Sequence, residues 1–343
     1  MKAIVNESAG RHHLVCREVP EPEPAKDEVK VRVKAAGVCG TDIHIWNGLY
    51  KTATPVIIGH EFCGEIVETG EAVLGWKAGQ RVVAENFTGA CGVCRLCRSG
   101  KAHICSEKAA YGTDRNGCMA EYFCVPANSL HLVSENISDN GASILEPLAV
   151  VNRALIERSP IKALDRVVIL GAGAIGLLSA QVAKIQGASQ VILVGTQIDE
   201  TVRFEFGRKV GATHIVNLEK SDFVKEIYEI TSGEGGDVVV EASGSTEAVS
   251  SAFQIVNRSG KIVAIGLTGN TATTEWDMGV FKEIDIIFSK SSTYMSWRRA
   301  ISFVKDGIID LEDFCTAVFP IEEWEGAFNL MAEGKAVKTV LIP

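Results

Sequence analysis

The sequence predicts an α/β protein made of two units, a β-barrel-type unit and a doubly wound parallel sheet. Three observations support this fold class. The chain has 343 residues, more than one ordinary hydrophobic core organises. Residues 1–150 contain short apolar runs between glycine-rich turns, which is typical of an all-β unit. The middle third alternates strand-like and helix-like segments, and this alternation predicts a parallel sheet covered by helices.

Composition and charge exclude several classes of function. With 46% hydrophobic residues, 22% charged residues and a net charge of −9, the chain has the balance of a globular protein. It has no basic stretch of the kind that binds nucleic acid, and no uncharged apolar run of about 18 residues that could enter a membrane. Glu7 interrupts the N-terminal segment before a signal-peptide core could form, so we expect a cytoplasmic protein.

The strands predicted within residues 1–150 are short. Residues 29–35 alternate apolar and polar side chains with the period of two that a half-buried strand has. The other strand-like runs lie between turn residues and cover 65–68, 80–84 and 121–125. Together they predict a barrel-like unit with loops.

Four dispersed residues of this unit are of types that bind Zn²⁺. Cys39 opens the run Cys-Gly-Thr-Asp, His60 and Glu61 follow a glycine, and Glu146 precedes a proline. Thiolate, imidazole and carboxylate are all zinc ligands. Each residue alone is more commonly a buried cysteine, a hydrogen-bonded histidine or a surface glutamate. Their occurrence together with a second cysteine cluster and a nucleotide-binding unit indicates a zinc site.

A cluster of four cysteines predicts a second metal site. Cys91, Cys94, Cys97 and Cys105 have the spacing C-x2-C-x2-C-x7-C. Four thiolates from one loop are typical of a closed, tetrahedral structural zinc site. An iron–sulfur loop would need a shorter last gap followed by proline, or a distant fourth cysteine, and here Ser106 follows. Disulfides are rarer in a chain without an export signal. Zinc is therefore the favoured interpretation, in a structural site that stabilises a lobe and takes no part in catalysis.

The middle third carries a dinucleotide-binding fingerprint. The apolar strand 166–170 runs directly into Gly171-Ala-Gly-Ala-Ile-Gly176, and a helix-like stretch follows to about residue 187. In such a motif the first glycine allows a tight turn, the second lets a pyrophosphate approach the backbone, and the third allows close packing of helix on strand. The N–H groups and the dipole of the helix N-terminus favour the phosphates. A purely structural glycine turn is the alternative interpretation.

The rest of the chain continues the pattern. Further strands are expected at 191–194, 214–217, 237–241, 261–265 and 284–288, and helices at 201–210, 221–231, 246–256 and 296–306. A last strand at 339–342 is expected to return to the first unit.

The residue that usually distinguishes NAD from NADP is absent from its place. An acid commonly ends the second strand and binds the ribose hydroxyls. Gly195 occupies this position, Thr196 follows, and the nearest acid is Asp199. Arg203 lies in the following helix, and the loop between Gly195 and Thr201 could still bring Asp199 back to the ribose, which would restore a preference for NAD. Because one charge-assisted hydrogen bond is worth about 1.5–3 kcal/mol, we expect the two cofactors to differ by less than about 100-fold in catalytic efficiency.

These motifs together resemble the zinc-dependent medium-chain alcohol dehydrogenases, and most of all their sorbitol (polyol) dehydrogenase branch. The resemblance covers essentially the whole chain and rests on Cys39-Gly-Thr-Asp, Gly59-His60-Glu61, the four-cysteine lobe, Leu145-Glu146-Pro147-Leu148 and residues 171–176. It implies a GroES-like catalytic domain of residues 1–150 and 290–343, with a zinc lobe at about 86–110. Residues 151–289 would form a Rossmann dinucleotide-binding domain.

The resemblance also implies roles for individual residues. The expected ligands of a catalytic zinc are Cys39, His60, Glu61 and Glu146, the last of which would hold the water of the zinc or exchange with it. Thr41 resembles the hydroxyl residue that bonds the substrate oxygen, and His44 the far end of a proton relay. The expected cofactor contacts are Gly171, Gly173, Ala174, Ile175, Gly176, Gly195, Thr196 and Arg203.

The implied function is oxidation of a secondary alcohol in a polyol or sugar alcohol to a ketone. The resemblance implies two Zn²⁺ per chain, NAD or NADP, a small-molecule substrate and a homo-oligomer, more commonly a tetramer than a dimer. Sorbitol dehydrogenases carry an Arg-Tyr pair that residues 289–294 lack, so sorbitol itself stays open.

Three alternatives remain. An L-threonine 3-dehydrogenase shares these motifs but has a longer loop than residues 47–58 provide. A polyol-phosphate or sugar dehydrogenase also stays open. A zinc-free or non-catalytic nucleotide-binding relative would lack Cys39, His60 and Glu61.

Overall fold

Two units divide the chain in the computed structural model, which describes residues 1–343. The first contains Met1–Ala149 and Ser291–Pro343, and the second contains Val150–Lys290. None of the helices has the length and apolar character that crossing a membrane requires.

The strands are β1 (Lys2–Asn6), β2 (Leu14–Glu18), β3 (Glu28–Gly37), β4 (Val56–Ile57), β5 (Glu61–Thr69), β6 (Arg81–Ala84), β7 (Phe87–Thr88), β8 (Ala109–Ala110), β9 (Tyr122–Pro126), β10 (Leu130–Leu132), β11 (Arg166–Leu170), β12 (Gln190–Gly195), β13 (His214–Asn217), β14 (Gly236–Glu241), β15 (Val256–Ala264), β16 (Asp285–Phe288), β17 (Cys315–Pro320) and β18 (Lys338–Ile342).

The helices are α1 (Gly40–Trp46), α2 (Arg95–Arg98), α3 (Asp139–Ser143), α4 (Leu145–Asn152), α5 (Ala174–Ile185), α6 (Arg203–Lys209), α7 (Phe223–Ile230), α8 (Thr246–Ile255), α9 (Trp276–Lys282), α10 (Tyr294–Lys305) and α11 (Trp324–Ala332). A stretch of wider π-helix, Arg153–Arg158, directly follows α4.

The first unit is built mainly from antiparallel strands. Its largest sheet has the order β10-β6-β5-β3-β18-β17, and β9 also pairs with β3. The predicted terminal strand is present as β18, which pairs with β3 at Val340 and Gly37. Smaller sheets join β2-β1-β4 and β7-β8. Apolar side chains of these strands and of α11 form one buried core, which holds the loops that carry the candidate metal ligands.

One predicted strand of this unit is longer than the sequence pattern indicates. The run 65–68 is only the second half of β5, which begins at Glu61. The first four residues of β5 are all buried, so they do not alternate and give no period-two signal. The pattern therefore missed that Glu61 begins a strand.

The second unit is a six-stranded parallel sheet of order β13-β12-β11-β14-β15-β16. Right-handed crossovers place α5 and α6 on one face and the helices after β13 on the other, because the strand order reverses between β11 and β14. The predicted doubly wound sheet is thereby confirmed. The glycine-rich loop follows β11, at the reversal where ligands of such sheets bind.

Candidate active site

The ends of neighbouring strands bring three predicted zinc ligands together. Gly37, the last residue of β3, pairs with Glu61, the first residue of β5. Cys39 follows β3 by two residues and His60 directly precedes β5. The candidate ligand atoms of Cys39, His60 and Glu61 all lie within 4.8 Å of one another. A Cβ on Gly37 would lie 2.6 Å from Glu61 Oε2, so this position leaves room only for glycine.

The start of α1 fixes Cys39. The Cys39 backbone N–H donates to Asp42 Oδ2 at 2.8 Å, and the Asp42 side chain is fully buried. This is the contact of a capping box, in which a side chain three residues into the helix bonds the preceding backbone N–H. Asp42 had no predicted role, although its spacing from Cys39 is the signal for such a cap.

Lys338, at the start of β18, is a site residue that no sequence motif indicated. Its Nζ pairs with Glu61 Oε2 and donates to Val38 O at 2.6 Å. The Lys338 and Glu61 side chains are only 2% and 1% exposed. Burial would lower the pKa of Lys338, but the neighbouring Glu61 carboxylate raises it above its usual range. No local pattern predicts the contact, because the lysine lies in a distant part of the chain.

Glu146 lies outside the set of three mutually close ligand atoms. It is buried in the first turn of α4, and its Oε1 accepts a hydrogen bond from Asn86 Nδ2 at 2.5 Å. Burial raises the pKa of Glu146 above its usual range, while the charge of His60 acts in the opposite direction. Of the four predicted ligands, three therefore form a cluster, and the fourth is held by an asparagine that the sequence did not single out.

The buried charges around the cluster match a divalent cation. Asp42, Glu61 and Glu146 are carboxylates less than 5% exposed, and Lys338 is the buried cation that faces them. Burial lowers the pKa of His60, but Cys39, Asp42 and Glu146 together outweigh this effect and raise the pKa well above its ordinary value, so positive charge is favoured there. Glu61 Oε1 is buried without a hydrogen-bond partner. An excess of buried anionic groups with an unpaired oxygen fits Zn²⁺, whose ligands include thiolate, imidazole and carboxylate.

The two predicted relay residues lie on one helix. Thr41 and His44 are three residues apart on α1 and therefore share a face. Thr41 is partly buried, whereas His44 is exposed. A proton passed along this face would move from the cluster toward water.

Replacing Lys338 with methionine is expected to lower the free energy of unfolding by about 3–5 kcal/mol, because it leaves Glu61 as a buried, uncompensated carboxylate. Urea unfolding followed by fluorescence measures the change. Adding Glu61→Gln to this variant should restore part of the loss. Lys335→Met, which removes an exposed ion pair with Glu333, should change stability by less than about 1 kcal/mol. An unchanged midpoint for Lys338→Met would contradict the structural importance of the buried pair.

The four-cysteine lobe has the dimensions of a tetrahedral zinc site. The Sγ–Sγ distances are 3.7 Å for Cys91–Cys105, 3.9 Å for Cys94–Cys105 and 4.0 Å for Cys91–Cys97. Zinc–sulfur bonds of about 2.3 Å at tetrahedral angles give sulfur–sulfur edges of about 3.8 Å. All four cysteines are free of disulfides. Backbone N–H groups of Cys91 and Glu107 lower the pKa of Cys105, which favours the thiolate that a metal needs.

The glycine-rich loop leaves space where a pyrophosphate would bind. Gly171 has a φ of 108°, and a Cβ there would lie 2.9 Å from Ser243. A Cβ on Gly176 would lie 1.8 Å from Gly171 O, so helix α5 packs tightly on the loop. A Cβ on Gly173 would meet no atom within 4 Å. The outer glycines are thus required by the fold, whereas the middle one leaves the open backbone that a phosphate approaches.

The end of β12 has no room for the usual acidic side chain. A Cβ on Gly195 would lie 2.6 Å from the Phe204 ring and 2.7 Å from Asp199 Oδ2. Asp199 folds back into this space, where its Oδ2 accepts hydrogen bonds from the Thr196 N–H at 2.9 Å and the Thr196 hydroxyl at 3.2 Å. Its Oδ1 pairs with Arg203 at 3.0 Å. The turn after β12 thus brings Asp199, four residues along the chain, back to the end of the strand.

Two family models match the chain. The alcohol dehydrogenase GroES-like domain matches residues 25–135, and the zinc-binding dehydrogenase domain matches residues 174–306. The candidate metal ligands Cys39, His60 and Glu61 and the four-cysteine lobe lie within the first match.

Several characterised proteins are similar over essentially the whole chain. A sorbitol dehydrogenase of Halalkalibacterium halodurans is 36% identical over 344 residues, covering 100% of this chain and 99% of its own. A D-arabitol-phosphate dehydrogenase of Enterococcus avium is 34% identical over 99% of this chain and 97% of its own. An L-threonine 3-dehydrogenase of Bacillus subtilis is 36% identical over 100% of this chain and 99% of its own.

A solved structure has the same fold. It is a protein of Sinorhizobium meliloti, described as a zinc-binding dehydrogenase and bound to NADP. It superimposes with a TM-score of 0.91 at 32% identity, covering 100% of this chain and 99% of that one.

Proposed function

The chain belongs to the zinc-dependent medium-chain alcohol dehydrogenases and is an oxidoreductase that acts on CH–OH groups, and we propose that its substrate is a secondary alcohol flanked by other hydroxyl groups. The product would be the ketone, with NAD or NADP as hydride acceptor. We propose two Zn²⁺ per chain, one held by Cys39, His60 and Glu61 with Glu146 close by, and one by the four-cysteine lobe.

The composition of the ligand cluster carries this proposal. It combines one thiol with an imidazole and a carboxylate, and a second buried carboxylate lies near it. When bound there, zinc would act as a Lewis acid that lowers the pKa of the substrate hydroxyl. A site with one sulfur ligand and carboxylate oxygens is harder than a site with two thiolates, which favours oxygen-rich substrates.

The residues of the chain would do the remaining work. The Thr41 hydroxyl accepts the proton of the substrate alcohol and passes its own toward His44, because an imidazole can take up and release protons at the protein surface. Asp42 and Lys338 hold Cys39 and Glu61 in place, and the open backbone at Gly173 receives the cofactor pyrophosphate.

A substrate panel tests the proposal. Purified protein is supplied with NAD or NADP and with polyols, sugars, polyol phosphates, L-threonine and simple primary alcohols, and the reduced cofactor is followed by absorbance. The expected result is higher kcat/KM with a polyol or its phosphate than with ethanol. Faster turnover of simple primary alcohols than of every polyhydroxylated compound would overturn the proposal.

L-Threonine is the second candidate substrate. The relative from Bacillus subtilis that is named for this activity is as similar to the chain as the sorbitol dehydrogenase is. Its substrate is also a secondary alcohol with a polar neighbouring group, so the same metal cluster would accommodate it. In the panel, a kcat/KM for threonine above that of all polyols would favour this alternative.

The cofactor preference is expected to be weak. Asp199 lies where a ribose carboxylate usually acts, but it is buried and already pairs with Arg203. The measured kcat/KM values with NAD and NADP should therefore differ by less than about 100-fold. Asp199→Asn keeps the shape of the turn and releases Arg203 from this pair, so it should move the ratio toward NADP by about tenfold.

The matched control is Glu200→Gln, which removes a neighbouring acid that pairs with Lys220. It should leave the ratio within about twofold of the original, since Arg203 keeps its partner. A wild-type ratio above about 1000 in either direction would mean that another residue selects the cofactor.

We also propose that the enzyme is a homo-oligomer, with a tetramer favoured. The edge strand β16 ends in Phe288, which is 73% exposed, and α9 exposes Trp276 at 68% and Phe281 at 76%. Apolar side chains beside an unpaired sheet edge are typical of a contact between subunits. Light scattering of the purified protein measures the mass.

A further inference from the structure

A chain of two hydrogen bonds leads from the carboxylate of Glu146 to the segment that follows β16. Asn86 Nδ2 donates to Glu146 Oε1 at 2.5 Å, and Ser291 Oγ donates to Asn86 Oδ1 at 2.9 Å. Neither Asn86 nor Ser291 matches any motif in the sequence, and neither has a place in the proton path described above.

The two bonds fix the orientation of the Asn86 amide. Facing a carboxylate, the amide must present its NH₂ group, because its oxygen would be repelled by Glu146 Oε1. Asn86 Oδ1 then points the other way and needs a donor, which the Ser291 hydroxyl supplies. Removing that hydroxyl would leave Asn86 Oδ1 without this donor and hold the amide less firmly, so Ser291 acts on Glu146 through Asn86.

Both ends of this chain are anchored. Ser291 has a φ of 60°, a left-handed conformation that non-glycine residues adopt rarely and that costs energy unless neighbours hold it. The adjacent Ser292 is fully buried and accepts a hydrogen bond from Trp297 Nε1 at 2.8 Å. The backbone O of Asn86 accepts the Tyr111 N–H at 3.3 Å. The hydroxyl and the amide are therefore placed by the surrounding fold.

We propose that Asn86, oriented by Ser291, is a positioning residue that fixes the carboxylate of Glu146 beside the Cys39, His60 and Glu61 cluster. With Oε1 committed to Asn86, the second oxygen, Oε2, is the one left for the metal site. The inference rests on the proposed role of Glu146. It adds that the geometry of this glutamate is set from outside the cluster.

The test measures zinc binding as well as turnover. The rate and extent of zinc transfer to a chromogenic chelator are recorded, and the zinc of the cluster is identified as the portion that a His60→Ala protein lacks. Asn86→Ala should weaken the binding of this zinc by about 10- to 100-fold. Ser291→Ala should also weaken it, but by a smaller factor. The zinc of the four-cysteine lobe serves as an internal control and should be unchanged.

A double-mutant comparison separates positioning from a general structural effect. In a Glu146→Gln background, Asn86→Ala should change zinc affinity and kcat by less than about twofold, because the carboxylate it positions is gone. Ser129→Ala, which removes a hydroxyl that bonds only Pro126 O, is the matched control and should behave like the wild type.

Two results would overturn the inference in different ways. If Glu146→Gln weakens zinc binding but Asn86→Ala and Ser291→Ala do not, or if Asn86→Ala has the same effect in the Glu146→Gln background, Asn86 does not position Glu146. If Glu146→Gln itself leaves zinc binding and kcat unchanged, the role proposed for Glu146 fails, and the inference fails with it. Should Asn86→Ala not fold, Ser291→Ala decides alone, because it leaves every side chain that contacts Glu146 in place.

Discussion

Replacing His60 with alanine is expected to lower kcat/KM at least about 1000-fold while the protein stays folded. The imidazole is one of three candidate ligand groups that lie within 4.8 Å of one another. Without it the cluster should hold zinc poorly, and the Lewis-acid contribution to the transition state, several kcal/mol, is lost. About 4 kcal/mol corresponds to 1000-fold. Steady-state rates and metal analysis of the purified variant measure both effects, and we expect the zinc content to fall from two to one per chain.

Cys39→Ser should have a similar effect, since the hydroxyl of serine is a much weaker zinc ligand than a thiolate. Cys16→Ser is its matched control, because Cys16 is a partly buried cysteine of the same unit that belongs to neither metal cluster. It should keep both zinc ions and near-normal turnover. A folded His60→Ala protein with wild-type activity would disprove the assignment of the catalytic metal site.

Replacing Cys97 with serine should lower the stability of the protein much more than it lowers the rate of the reaction. The Cys97 sulfur lies 4.0 Å from that of Cys91 in a lobe that offers four sulfur ligands and therefore leaves no open coordination position. Because the binding energy of a structural zinc ion is largely folding energy, its loss should unfold the lobe. We expect a lower melting temperature, a lower soluble yield and one zinc per chain, with kcat per folded molecule changed by less than about tenfold.

Thermal unfolding, zinc content and activity normalised to folded protein distinguish the two metals. Cys124→Ser, in the middle of β9 and outside both clusters, is the control for loss of a cysteine in this unit. If Cys97→Ser protein melts at the wild-type temperature and loses only catalysis, the lobe takes part in the reaction and the structural assignment is wrong.

The sequence predicts the parts of this molecule that depend on residues close together along the chain. The strand 166–170 with its glycine-rich turn indicated the parallel sheet and the cofactor loop, since the strand, the three glycines and the helix lie within about one βα unit. The spacing of Cys91, Cys94, Cys97 and Cys105 predicted a tetrahedral site for the same reason. In both motifs, the residues that act together lie within one short stretch of sequence.

Contacts between distant residues were not predicted. Lys338 pairs with Glu61 only because β18 joins the sheet next to β3, and Asn86 reaches Glu146 from a loop that has no motif. The Lys338 and Asn86 side chains are polar and satisfied by tertiary partners, and residue type alone does not reveal such a partner.

The hydrogen bond from Lys338 to Val38 joins residues that are 300 positions apart in the sequence. This separation determines when the contact can form during synthesis on the ribosome. Strand β3 is made early, but its neighbour β18 follows the whole of the second unit. A pairing that closes so large a loop forms late, whereas elements that are near in sequence form first. The four-cysteine lobe, contained in a short loop, can take up its metal while synthesis continues. The cluster of Cys39, His60 and Glu61 acquires its buried lysine only when β18 arrives, so we expect the two candidate metal clusters to form at different times.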